Sequence, residues 1–328
     1  MNKKIIGIFF CIIMICLLFE PFISAQIISN KIKLDDDIPV WEIGDKWSYN
    51  IDNIDIYLSD EKGFIELKPS TLILEVTDVS KDIYIVDYEL KISGNLNIYS
   101  MVDLKFGGLF PISFTGSIEY NKSDMGIKNI ISKISGVCKL KPTSFPLLSL
   151  PVRLDIQLDL DSSTPFTIIT FPLFVEKYWG IKSTNLSVDG YIKSPMLRLI
   201  NLIHNILRFF KFIPEEYIEL SDTLTDILPV IQIKHTLSVL NITNYFFINE
   251  SAIPQIFGCI NYEQITIQGN TLECYNITIA ETANIYYSPQ IGNIAKVYIQ
   301  GENLITLPFI EDHFTEISNI NIELLKTN

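Results

Sequence analysis

Residues 152–161 run Val152-Arg153-Leu154-Asp155-Ile156-Gln157-Leu158-Asp159-Leu160-Asp161, apolar at every even position and polar at every odd one. Successive side chains of a strand point to opposite faces, so this run has one buried face and one wet face. That is the pattern of antiparallel sheet. Working outward, 84–92 repeats it, with Tyr84, Val86, Tyr88, Leu90 and Ile92 facing away from Asp87, Glu89 and Lys91. Further strands are predicted over 46–57, 70–79, 94–104, 112–120, 166–171, 181–191, 230–244, 262–268, 272–280, 294–300 and 317–325. Turns are expected at Ser93-Gly94-Asn95, Phe106-Gly107-Gly108 and Gln268-Gly269-Asn270. Fifteen Tyr, twenty Phe and abundant Ile agree, because β-branched and aromatic side chains suit a pleated, half-buried surface.

The N-terminus has a different logic. Lys3 and Lys4 precede an uncharged run from Ile5 to Phe19, and Ile23-Ser24-Ala25 offers a small residue before Gln26. A charged start, an apolar stretch and a small-residue end make residues 1–25 a secretory signal, so the mature chain is expected to be extracytoplasmic, secreted or at the cell surface. If retained, the segment would be an N-terminal membrane anchor. An acidic linker follows over 26–38, with Asp35, Asp36 and Asp37, which lack the ligand spacing of a calcium loop. Net charge is −13 for the whole chain, and removing Lys3, Lys4 and Glu20 takes it to −14. Such a field repels phosphate backbones and argues against nucleic acid as a partner.

Three cysteines lie beyond the signal: Cys138, Cys259 and Cys274. In an oxidising compartment Cys259–Cys274 is the candidate disulfide, closing a short loop. If 268–271 is the hairpin turn, however, Cys274 faces Ile265 and Cys259 must curl back to reach it. Sequons mark Asn121, Asn185, Asn241, Asn249 and Asn276 as candidate glycosylation sites. Asn276 and Thr278 alternate with apolar neighbours and are expected to face solvent.

One region breaks the β pattern. Ser194-Pro195 supplies a cap and a first-turn proline, and 196–213 then reads as a helix, with 221–228 a shorter second one. Arg198, Arg208 and Lys211 form a basic stripe opposite a wide apolar arc containing Leu199, Ile203 and Phe210. Such a helix either lies on an anionic membrane or closes over a lipid site, or its apolar arc packs on a sheet.

Catalytic signatures are absent. His204, His235 and His313 form no zinc pair, and no nucleophile elbow, Walker loop or dinucleotide fingerprint occurs. No cofactor or metal is expected, and the chain is read as non-enzymatic. Ile43-Gly44-Asp45-Lys46-Trp47 is echoed 132 positions later by Val175-Glu176-Lys177-Tyr178-Trp179, suggesting two halves, 39–163 and 164–328.

The opening Trp41-x-x-Gly44-Asp45-x-Trp47-x-Tyr49 resembles the start of secreted archaeal and bacterial proteins of uncertain function. So does 286–293, Tyr286-Tyr287-Ser288-Pro289-Gln290-Ile291-Gly292-Asn293, with Lys296-Val297 after it and Cys274-Tyr275 upstream. Those proteins look related to the lipoprotein-carrier half-barrels, in which antiparallel sheet wraps an apolar cavity. The resemblance implies a mainly β fold, a strongly curved half-barrel or two in tandem; the helical insert near 195–228, read from the residues alone, has no counterpart in it. With the inward face of 84–92 and the apolar arc of the helix, the chain is expected to be a binding protein for a lipid or other hydrophobic ligand, with Tyr84, Val86, Tyr88, Leu199, Ile203 and Phe210 lining the site and a membrane surface as a further partner. The alternative is a structural or interaction module of the cell envelope without ligand, its protein partner unknown.

Overall fold

A computed structural model describes residues 38–58, 63–99, 105–142, 150–180, 185–193, 230–238, 257–279, 283–300 and 314–327. These form seventeen strands and, among the described residues, no helix. In chain order they are β1 (Lys46–Ile51), β2 (Ile54–Leu58), β3 (Gly63–Leu67), β4 (Ser70–Val79), β5 (Ile83–Tyr99), β6 (Lys105–Asn121), β7 (Ile127–Pro142), β8 (Leu150–Phe166) and β9 (Lys177–Trp179). Then come β10 (Asn185–Lys193), β11 (Val230–Ser238), β12 (Phe257–Ile267), β13 (Asn270–Ile279), β14 (Ala283–Ser288), β15 (Asn293–Ile299), β16 (Phe314–Ile317) and β17 (Ile320–Thr327). The predicted helical insert and the 26–38 linker, up to Asp37, lie outside the described residues.

All seventeen strands belong to one antiparallel sheet. From one end its ladder runs β9, β12, β13, β14, β15, β17, β1, β4, β5, β6, β7, β8, β10, β11. A branch β16–β2–β3 rejoins β5. The sheet is not closed by hydrogen bonds, yet β9 and β10 are successive in the chain, with only 180–184 between them. The boundary expected at 163/164 falls near the end of β8, where the β8–β10 ladder stops at Ser162 and the β7–β8 register shifts between Asp161 and Phe166.

The alternating stretches are strands, as expected, but longer. β5 runs straight through the turn predicted at Ser93-Gly94-Asn95, and β6 through that at Phe106-Gly107-Gly108. Gly94 marks a crossing instead: β5 pairs with β4 as far as Lys91 and with β3 from Gly94 onward. A Cβ on Gly94 would sit 2.1 Å from the Glu66 carbonyl oxygen, so glycine here allows close backbone approach rather than a reversal. The turn at Gln268-Gly269 is real but tighter than predicted. Both residues have positive φ, 50° and 81°, the two-residue form that matches strand twist. Ile267 therefore faces Asn270, and Cys274 faces Glu263 rather than Ile265.

Apolar side chains of the inner face form one continuous core. At the end of the sheet where β5 begins and β6 finishes, called here the near end, the core includes Trp41, Met125, Ile168, Ile169 and Leu173, all buried and all outside the strands. Trp41 packs on Tyr84 and Tyr120 with ring centroids 4.6 and 5.2 Å away. Phe171 meets Tyr287 edge-on at 5.5 Å. These side chains make an aromatic plug.

Candidate functional site

Three of the expected lining residues, Tyr84, Val86 and Tyr88, lie on the inner face of β5 and are 4%, 0% and 8% exposed. The Tyr84 hydroxyl accepts the Trp41 backbone N–H at 3.1 Å. Tyr88 stands opposite Gly116, where an added Cβ would come 2.9 Å from its hydroxyl. This triplet is packed into the plug and the layer above it. Leu199, Ile203 and Phe210, with the basic stripe Arg198, Arg208 and Lys211, lie outside the described residues.

The segment that closes the near end on the other side falls in part within the strand expected over 166–171, but β8 ends at Phe166 and the residues after it are irregular. Residues 168–176 fold under the sheet, and Trp179 stacks on Phe257 at 5.7 Å while its indole N–H donates to the Ile168 carbonyl at 2.8 Å. Lys177 turns inward and donates to the carbonyls of Thr170 and Pro172 at 2.5 and 2.6 Å. Burial holds its ammonium below the usual lysine value, an effect that the neighbouring Cys259 offsets. A cation clamped on two carbonyls is a fastener for the loop. The available sequence signal was the Trp179 echo of Trp47.

Cys259 and Cys274 do not form the expected disulfide; both thiols are free and buried. The reason is register. Cys259 faces Ile277, a bulge follows at Ile260, and Cys274 faces Glu263. Ile277 and Cys274 are three apart on one strand, so the two thiols leave opposite faces of the sheet. Burial pushes Cys259 up to about 11, Lys177 drawing it partly back. It pushes Cys274 to about 12, with the Ser288 hydroxyl opposing and Glu263 adding to the rise. Thiols held protonated at neutral pH are poor nucleophiles and poor metal ligands. Among the described residues no three His, Cys, Asp or Glu are grouped to hold a metal. Cys138 lies in β7.

Asn276 departs from expectation too. It is buried, and its amide donates to Glu263 at 2.9 Å. The extension of the β12–β13 hairpin past the near end brings that carboxylate over it, so it does not face solvent. At Asn121 the side-chain amide donates to Ser123 and Asp124, both at 2.9 Å, within an accessible turn. Asn185 begins β10, while Asn241 and Asn249 lie outside the described residues. No family model, no curated protein and no solved structure matches this chain.

Proposed function

We propose that this chain is an extracytoplasmic, non-enzymatic binding protein for a lipid or other hydrophobic ligand, held within the rolled sheet at the end opposite the plug. One observation carries the reading: β9 and β10, twelve ladder steps apart, are successive in the chain. Laid flat, twelve steps would span about 58 Å. The link from Trp179 to Asn185 reaches about 20 Å at most. On this reading a sheet with such ends rolls about its apolar face, and the approach of β12 to within 8 Å of β17, four ladder steps away, supports strong curvature in that half.

A rolled wall twelve strands around is wider than one of about eight, the size that its own side chains fill. At the near end Trp41, Met125, Ile168, Ile169 and Leu173, with Ile291 in the 288–293 turn, make up the difference from outside the strands. At the far end the wall continues through the upper half of β5, beyond Gly94, while Lys193 and Val230 pair as the flanks of 194–229. An acyl chain there would gain about 0.8 kcal/mol per buried CH₂. The resemblance carried by Trp41, Gly44 and Trp47 points the same way. Extraction of gently purified protein into organic solvent, followed by mass spectrometry, should return a stoichiometric lipid. Repeated extracts without one, and no rise in melting temperature on adding fatty acids or phospholipids, would overturn the reading.

The second reading, an envelope interaction module, is favoured by the near end. There Val76, Val86, Tyr120, Met125 and Ile127 are all 1% exposed or less. If the interior is filled in the same way to the far end, pressurised xenon will find no site in crystals of the protein, and a ligand-free scaffold is the better account.

A further inference from the structure

The 132-residue echo has a structural counterpart. Gly44 and Glu176 both take positive φ, 96° and 70°. The Asp45 N–H donates to the Glu42 carbonyl and the Lys177 N–H to that of Phe174, each at 3.2 Å. The Gly44 N–H then reaches the Val76 carbonyl at 2.9 Å, as the Glu176 N–H reaches that of Cys259 at 2.7 Å. Trp47 faces Leu74 across β1–β4, and Trp179 faces Phe257 across β9–β12. One residue beyond each carbonyl acceptor the next ladder bulges, at Thr77 and at Ile260. Tyr84 pairs with Tyr120 and Tyr275 with Tyr287, and a second bulge adjoins each of those partners. Turns 121–126 and 288–293 have equal length and the same φ of 57° at their fifth position, Met125 and Gly292.

The seams where the halves meet agree in register. On one, Glu323, Ile322 and Ile317 stand opposite Asn50, Ile51 and Ile56. On the other, Asp161, Leu160 and Asp155 stand opposite Ser187, Val188 and Lys193. A constant shift of 162 carries the first strand of one seam onto that of the other, and a constant shift of 137 carries the second. Bulges are placed features that re-aim a ladder; two of them, two turns and two seams do not coincide by accident.

We infer that the chain is a fused homodimer, with 38–165 and 170–327 as two copies of one six-strand unit. The partner each copy fits is the other copy, docked last strand to first at two equivalent seams. In these terms β1 with β2, β3 with β4, β5, β6, β7 and β8 match β9 with β10, β11 with β12, β13, β14, β15 and β16 with β17. The units differ in length between equivalent positions: the second has gained 180–184, which part β9 from β10, the connections 194–229 and 239–256, and a longer β12–β13 hairpin, while its β13, β14 and β15 are shorter than β5, β6 and β7. The inference is independent of whether the interior holds a ligand.

The scheme fixes a length. Ile38 corresponds to Thr170 and Thr327 to Pro165, so the four residues 166–169 bridge one seam. Asn328 plus three added residues should bridge the other. A circular permutant starting at Thr170, running to Asn328, then Gly-Ser-Gly, then 38–169, tests this. It is compared with a permutant whose linker is about ten residues long, in the flexible regime, and with an unpermuted 38–328 chain cut by protease at a site engineered after Ile169. The three-residue permutant should keep the parent's far-UV circular dichroism and one cooperative melt within about 5 °C of it. The cut chain should elute as one particle. A need for the longer linker, separation of the cut halves, or collapse of both permutants while the cut chain stays whole would each overturn the inference.

Discussion

At the scale of single residues, the buried thiols of Cys259 and Cys274 set the clearest expectations. They are held protonated chiefly by burial, so alkylating agents should leave Cys259 and Cys274 unmodified in the native protein and label both on unfolding. The pH dependence follows from the same cause. A group whose folded value lies above its unfolded one contributes fully below the unfolded value, and the contribution is lost as pH rises through the folded one. For Cys274 that window runs from the ordinary 9.0 to about 12. Its full cost is on the order of 4 kcal/mol by the top of the window. Tyr49, fully buried with its hydroxyl donating to the Ile294 carbonyl at 3.0 Å, is also raised by burial and adds to the alkaline loss. Urea titrations from pH 8 to pH 11 should therefore show stability falling, and less steeply in Cys274→Ala. An unchanged slope would mean that the thiol is hydrated. Sequence could place these cysteines within fifteen residues of one another, but one bulge at Ile260 decides their faces, and a bulge leaves no mark in apolar alternation.

Whole strands were legible where one face is wet. The run 84–92 is the first part of β5 and 152–161 the middle of β8. Their ends were not, because Gly94 and Gly107-Gly108 read as turns although β5 and β6 run straight through them. Gly94→Ala tests that difference. Its new Cβ would fall 2.1 Å from the Glu66 carbonyl oxygen and 2.8 Å from the Phe110 ring, so the β3–β5 crossing must open. The loss should exceed about 2 kcal/mol, in the range of overpacked core substitutions. Gly269→Ala is the control: nothing lies within 4 Å of its Cβ, and only the positive φ of 81° is strained, at about 1 kcal/mol. Equal losses by chemical denaturation would mean that Gly94 is not a contact point. The candidate site was legible only in part. The inward face of 84–88 could be read from alternation, whereas the plug comes from segments without periodicity, 168–173 and the residues around Trp41.

On the scale of the molecule, two seams hold an acidic chain of net charge −13 in one sheet, and the seams are not equally satisfied. On the first, the Asn321 amide donates to Asp52 at 2.8 Å. The equivalent pair on the second is Asp159 directly opposite Asp189, two carboxylates where like charges repel. Asn129 donates to Asp159 at 2.7 Å, and Lys234 is the register partner of Asp189 on β11, which eases the clash without removing it. Asp159→Asn copies the first seam onto the second, since an amide can still accept from Asn129 and now donate to Asp189. It should stabilise by about 0.2–1 kcal/mol at low salt. The gain should shrink as ionic strength rises and the Debye length falls from about 30 Å at 0.01 M to about 3 Å at 1 M. Melting of both proteins across that range checks it: convergence at high salt identifies repulsion across the seam as the cause. A gain that ignores salt would come from the new hydrogen bond alone, and no gain at all would mean that the two carboxylates do not face each other.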